Sequence, residues 1–169
     1  MKYFAYGSNM SPARLRERTP GAQRIGSYVL QAHDLRFHKR GRDGSGKCNA
    51  LYTRNLNHRV FGVLFEICPG EMKDLDKAEG LGYGYDQKTV IVVNDDCSEV
   101  AATVYCATDI DEQLRPYTWY KQHVLVGAKE SSLPGDYIQK IESVVSVADP
   151  DEAREARQYS IQLSHEAAL

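Results

Sequence analysis

The sequence has no apolar stretch near the ~20 residues that a membrane-spanning helix needs. It runs straight into Lys2-Tyr3-Phe4 without a charged-then-apolar leader pattern. A cytoplasmic protein with no membrane partner is the expectation. Cysteine is scarce: Cys48, Cys68, Cys97 and Cys106 form no C-x-x-C pair and have no histidine at metal-ligand spacing. In a chain of 169 residues this favours reduced, mostly buried thiols over a disulfide framework. A domain of this length can bury about 70% of its unfolded surface and needs no staples. The histidines, His33, His38, His58, His123 and His165, do not pair at ligand spacing either, so a metal site is unsupported. The absence of a G-x-S-x-G elbow argues against a serine-hydrolase triad. Neither sign of charge dominates, since 21 basic and 23 acidic residues leave a formal charge of −2. That gives no electrostatic reason to expect nucleic acid, and the expected partner is a small molecule.

Tyrosine is what the chain has in excess: eleven, against one tryptophan and four phenylalanines. The bias fits a pocket with apolar walls and hydrogen-bonding rims, or a set of half-exposed strand residues. Residues 1–6 read as one short buried strand. Ser11 to Arg18 reads as a short helix with Ser11 as cap and Pro12 in its first turn. Ser27 to His38 reads as one bent strand or two short ones, with a break near Ala32-His33-Asp34. Cys48 to Thr53 looks like another strand. Val60 to Ile67 is apolar enough to be a central strand buried on both faces. Pro69-Gly70-Glu71 opens a helix that Gly80 stops, which places Glu79 in the last turn. Residues 88–94 and 99–107 read as a hairpin around Asp95-Asp96-Cys97-Ser98. Helices over 116–128 and 136–145 follow, the first with Trp119, His123, Val124 and Gly127 on one face. Strands first and helices last argue for an α+β fold. There is no internal repeat; residues 1–148 form the domain and 149–169 a helical tail on or beyond it. The tail's Ile161 and Leu163 could cover the core or a neighbouring subunit, so a homodimer stays open.

Two local features carry chemistry, and one imitates it. At Tyr6-Gly7-Ser8-Asn9 the first strand stops abruptly, and a glycine there lets successive N–H groups point at one spot, as an anion or oxyanion site requires. A plain strand-ending turn is the alternative. Glu79 would face the exposed carbonyls of its helix end, an environment suited to a group that takes up and returns a proton. Its alternative is a solvated helix-end carboxylate. The imitation is Gly41 to Lys47, which fits G-x-x-x-x-G-K but is followed by Cys48 rather than a hydroxyl residue, and by a strand rather than a helix. A mobile loop near a pocket mouth is the preferred reading.

The stretch Tyr3-Phe4-Ala5-Tyr6-Gly7-Ser8-Asn9-Met10 resembles the opening strand and loop of the γ-glutamylcyclotransferase family, in the branch carrying Tyr-Gly-Ser-Asn, which includes γ-glutamylamine cyclotransferase-like proteins. Residues 75–80, Leu-Asp-Lys-Ala-Glu-Gly, resemble the motif holding that family's catalytic glutamate. Trp119-Tyr120-Lys121, running into Gly127-Ala128-Lys129-Glu130 and Leu133-Pro134, resembles a third. The three segments stand in the family's order and cover most of the chain. The resemblance implies a mixed sheet curled into a small barrel with surrounding helices. It implies cofactor-free cyclisation of a γ-glutamyl substrate to 5-oxoproline, with release of an amine or amino acid. Glu79 would then be catalytic, and Tyr3, Phe4, Ala5, Tyr6, Gly7, Ser8, Asn9 and Tyr120 would bind substrate; apart from the resemblance, Asn9 and Asn49 are read as groups that could support the site, with turn capping the alternative for Asn9. A non-catalytic member binding a small metabolite or a protein in the same pocket is the alternative.

Overall fold

A computed structural model describes the backbone of residues 1–166 and the side chains of residues 1–161, which leaves the side chains of Leu163 and His165 outside the described residues. Seven strands and five helices follow in the order expected. They are β1 (Lys2–Ala5), α1 (Pro12–Arg16), β2 (Gln23–Gln31), β3 (His33–Arg40), β4 (Gly46–Tyr52), β5 (Arg59–Glu66), α2 (Met72–Glu79), β6 (Tyr85–Val93), β7 (Glu99–Ala107), α3 (Thr118–Glu130), α4 (Gly135–Glu142) and α5 (Glu152–Glu166). Strands β1, β5, β2, β6 and β7 close a barrel, with β5 antiparallel to both β1 and β2 and with β1 parallel to β7. The apolar run at 60–67 is therefore interior to the sheet, and Val60, Val63 and Leu64 are fully buried.

The segment after Ser27 is two strands, and they belong to different sheets. Ala32 turns the chain with φ 59°, so that β2 stays in the barrel while β3 pairs with β4 in a separate two-stranded sheet. Alternation along one strand carries no information about which partner it finds. Strand β6 starts at Tyr85, three residues before the apolar stretch that announces it, because exposed Asp86, Gln87, Lys88 and Thr89 pair along the full length of β7. The thiols are all free, but only Cys48 and Cys106 are buried; Cys68 and Cys97 are exposed, against the expectation of mostly buried sulfur. Ser11 occupies the cap position of α1 without capping it, its hydroxyl buried and unpaired.

The tail is tied to the body by polar contacts. Arg14 Nη1 donates to Gln158 Oε1 at 2.5 Å, and the Trp119 indole N–H donates to Asp149 at 2.7 Å. Tyr159 packs partly buried against the core. Arg154 grips the fully buried Asp149 carboxylate and holds its proton affinity well below the ordinary carboxylate range. A depressed folded-state value means that the stabilisation is complete above the unfolded carboxyl's ordinary value of about 4 and is lost as pH falls toward the folded one. Asp149→Asn is thus expected to cost about 1.5–3 kcal/mol near neutral pH, the range for losing a hydrogen bond to a charged group. The gap in thermal midpoint between the two proteins should narrow as pH drops below about 4.

Candidate active site

The turn after β1 and the end of α2 meet. Gly7 leads into a single turn of 3-10 helix, Ser8–Met10, in which Met10 N donates to Gly7 O at 3.0 Å. The amides of Ser8 and Asn9, at the N-terminal end of that turn, have no acceptor inside it. Glu79 is the last residue of α2, and Gly80 follows in the left-handed conformation, φ 74°, with its N–H on Asp76 O at 2.9 Å. That conformation costs glycine little, which is why the helix stops here and Glu79 turns inward. Its side chain is 16% exposed.

Asn9 links the two elements. Its Nδ2 donates to Glu79 Oε1 at 2.6 Å and to the Tyr3 hydroxyl at 3.1 Å, while its Oδ1 accepts from Arg18 Nη1 at 2.5 Å. Arg18 also lies 3.4 Å from Glu79 Oε1. Oε2 receives no hydrogen bond from a described residue. Beside the carboxylate a narrow chamber of about 30 Å³ is walled by Tyr3, Tyr6, Ser8, Tyr85, Tyr105 and Tyr120. A wider one of about 230 Å³ opens outward past Arg14, Lys39 and Lys47, with Ser8, Glu79, Tyr85 and Tyr120 common to both.

Burial pushes the Tyr3, Tyr6, Tyr85 and Tyr120 hydroxyls well above their usual range, so they remain protonated donors. Tyr6 donates to Tyr105 O at 2.5 Å and Tyr85 to Cys48 O at 2.6 Å, while Tyr120 accepts from Cys48 N at 3.1 Å. The Tyr120 proton points toward the Cys48 sulfur, a weak acceptor that a ligand oxygen can outcompete. The Cys48 thiol lines the narrow chamber, but burial raises it to about 12, which removes it as a thiolate nucleophile. The Ser8 hydroxyl accepts from Arg14 Nε at 3.1 Å and retains a proton to donate.

Of the residues expected at the site, Tyr3, Tyr6, Gly7, Ser8, Asn9, Glu79 and Tyr120 line this cavity. Phe4 and Ala5 do not: both are 0% exposed, in the core, Phe4 packed against Tyr6 and Ala5 too short to reach the chamber that the Tyr3 ring on the same face of β1 enters. Asn49 is buried one strand away, its Oδ1 accepting from Ala107 N at 2.9 Å. Gly41 to Lys47 is a hairpin turn between β3 and β4 rather than a phosphate loop. Three of its amides are consumed within it, Gly41 N on Ser45 O at 2.8 Å and Gly44 N on Gly41 O and Ser45 N on Asp43 Oδ1, both at 3.0 Å, and Gly46 N donates to Arg115 O at 2.8 Å.

Arg14, Arg18, Lys39, Lys47 and Tyr85 are site residues that pattern reading missed. A signal existed for the first two, since four-residue spacing after the turn puts both arginines on one face. Lys39 and Lys47 bound the glycine-rich stretch read as a loop near a pocket mouth, but nothing in it marked either as facing the site, which depends on how β3 leaves the barrel. Among the described residues no cluster of three or more metal-ligating side chains occurs.

An AIG2-like family model matches residues 59–141. Over 146 residues the chain is 31% identical to a bovine γ-glutamylcyclotransferase and 30% to the human one, in each case covering 84% of this chain and 77% of the relative. A solved structure of a γ-glutamyl cyclotransferase superposes with TM-score 0.81 at 26% identity, covering 87% of this chain and 89% of its own. With the same barrel, the same order of segments and this extent of shared sequence, the chain belongs to the γ-glutamylcyclotransferase family.

Proposed function

We propose that the protein is a γ-glutamylcyclotransferase-type enzyme that cyclises a γ-glutamyl amide or peptide to 5-oxoproline and releases an amine or amino acid. The observation that carries this reading is the 2.6 Å bond from Asn9 to Glu79, which joins the amide-rich turn to a carboxylate seventy residues away. The substrate's α-amino nitrogen attacks its own γ-carbonyl carbon, so that one C–N bond forms and the original γ-amide C–N bond breaks. No protein nucleophile enters. The chain's tasks are to fold the glutamyl unit for attack, move one proton and hold the developing oxyanion. Glu79 takes the proton from the attacking amine through Oε2 and returns it to the departing nitrogen. The Ser8 and Asn9 amides, with the Ser8 hydroxyl, face the oxyanion, and the Tyr120 hydroxyl donates to the glutamyl end.

Incubation with a panel of γ-glutamyl peptides and amines, with 5-oxoproline quantified, tests this directly. Release from at least one member is expected; binding without turnover across the panel would instead favour a non-catalytic pocket. Asn9→Ala removes the donor that orients Glu79. It should lower kcat by about ten- to a hundredfold, as loss of one hydrogen bond to a charged group predicts. KM should change much less, because Asn9 acts through Glu79 rather than on the substrate's ground state.

A further inference from the structure

The wider chamber is cationic in a chain whose formal charge is −2. Arg14, Arg18, Lys39, Arg42 and Lys47 line it against two carboxylates, Asp43 and Glu79. Both acids are already engaged, Glu79 by Arg18 at 3.4 Å and Asp43 by Lys47 at 2.7 Å. Arg14, buried, donates only to the neutral Ser8 and Gln158 side chains. Lys39 is 5% exposed, its ammonium lies 4.5 Å from the centre of the Tyr85 ring, and it donates to no described residue. Arg42, exposed at the rim, has no ion pair among the described residues. Among the described residues, these three cations thus face the chamber without a direct ion pair to a carboxylate.

The arrangement is built by the hairpin. Lys39 and Lys47 are register partners across β3 and β4, so they project from one face, and Asp43 folds back to hold the turn and Lys47 together. A buried ammonium that feels Glu79, Asp109 and Asp43 only through space, with an aromatic ring as its nearest partner and no hydrogen-bond acceptor among the described residues, is costly, and an anionic ligand group would offset that cost. Burial also lowers the proton affinity of Lys39, and the attraction of Glu79, Asp109 and Asp43 does not fully offset it.

Resting on the cyclotransferase reading above, we infer that this chamber is a leaving-group subsite for a dianion: the amine released is a dicarboxylic amino acid, whose two carboxylates meet Lys39 and the flanking Arg14 and Arg42. The glutamyl unit occupies the narrow end beside Glu79, and the scissile nitrogen lies between the two chambers. A leaving group that brings a net positive charge, such as the free ammonium of a diamine linked through its other nitrogen, meets repulsion from the same side chains.

The isosteric pair γ-glutamylglutamate and γ-glutamylglutamine isolates the second carboxylate. With the full chain, kcat/KM for the glutamate compound should exceed that for the glutamine compound by at least about tenfold, the ratio one charge-assisted hydrogen bond supplies. Raised salt should shrink it. In Lys39→Gln the ratio should fall to within about twofold, whereas a merely structural role for Lys39 would lower both substrates equally and leave the ratio intact. Arg42→Gln, at the exposed rim, provides the same test without burying a new group, with a reduction of about threefold expected. A wild-type ratio near one, or a ratio untouched by both variants, overturns the subsite while leaving the cyclotransferase reading in place. Absence of 5-oxoproline from every γ-glutamyl compound overturns both.

Discussion

Glu79→Gln is expected to lower 5-oxoproline release by two to four orders of magnitude, the range for removing a general acid–base group. The substitution is nearly isosteric. The amide oxygen can still accept from Asn9, and the interaction lost with Arg18 is a 3.4 Å contact between partly exposed groups, 23% and 16%, whose contribution to stability is small. Thermal stability should therefore be unchanged or slightly raised while kcat collapses. Glu79→Asp keeps the charge but withdraws the carboxylate by one methylene from Asn9 and from the turn. A displacement of about 1 Å is enough to cost on the order of a hundredfold. Steady-state rates for both variants, with melting curves on the same preparations, separate lost chemistry from lost structure. Retention of more than about a tenth of the wild-type rate in Glu79→Gln would remove this residue as the proton carrier.

Gly127→Ala should damage both stability and rate, although alanine in a helix interior is ordinarily worth about 1 kcal/mol over glycine. A methyl group at position 127 would stand 2.5 Å from Ser11 N, 2.6 Å from Met10 Cβ and 2.7 Å from Met10 C. Two of these are backbone atoms and cannot rotate away, so either α3 or the turn must move. Overpacking of this kind costs about 1–3 kcal/mol or more, which outweighs the propensity gain. The turn carries Ser8 and Asn9 and α3 carries Tyr120, so either movement disturbs the site. The rate of the folded variant should consequently fall on the order of a hundredfold. Gly135→Ala is the control, since nothing lies within 4 Å of its added methyl, and it should be neutral or mildly stabilising. Denaturant midpoints and rates for the pair decide the matter, and a more stable Gly127→Ala would show that the contact relaxes without cost.

Much of the molecule could be read locally. The apolar run from Val60 to Ile67 announced a buried strand, and β5 is paired on both sides. Gly80 announced the end of α2, and with it the position of Glu79 at the mouth of a helix end. These readings succeed because burial periodicity and capping act over a few residues. Phe4 and Ala5 marked the limit of motif reading. A resemblance names a contiguous segment, but side-chain length and core packing give only some of its residues to the cavity.

What the residues alone determined, then, is the α+β class, the order of the elements, the sharp turn at Gly7 and the carboxylate at a helix terminus. What tertiary structure decided is barrel closure by the parallel β1–β7 contact, the departure of β3 and β4 into their own sheet, and the cationic chamber which that departure creates beside Glu79. The division follows from range. Helix ends and strand faces are set by neighbours a few positions away, whereas Glu79 and Asn9, or Lys39 and Glu79, meet only after chain segments 70 and 40 residues apart have been folded together, and charge acts through space rather than along the chain.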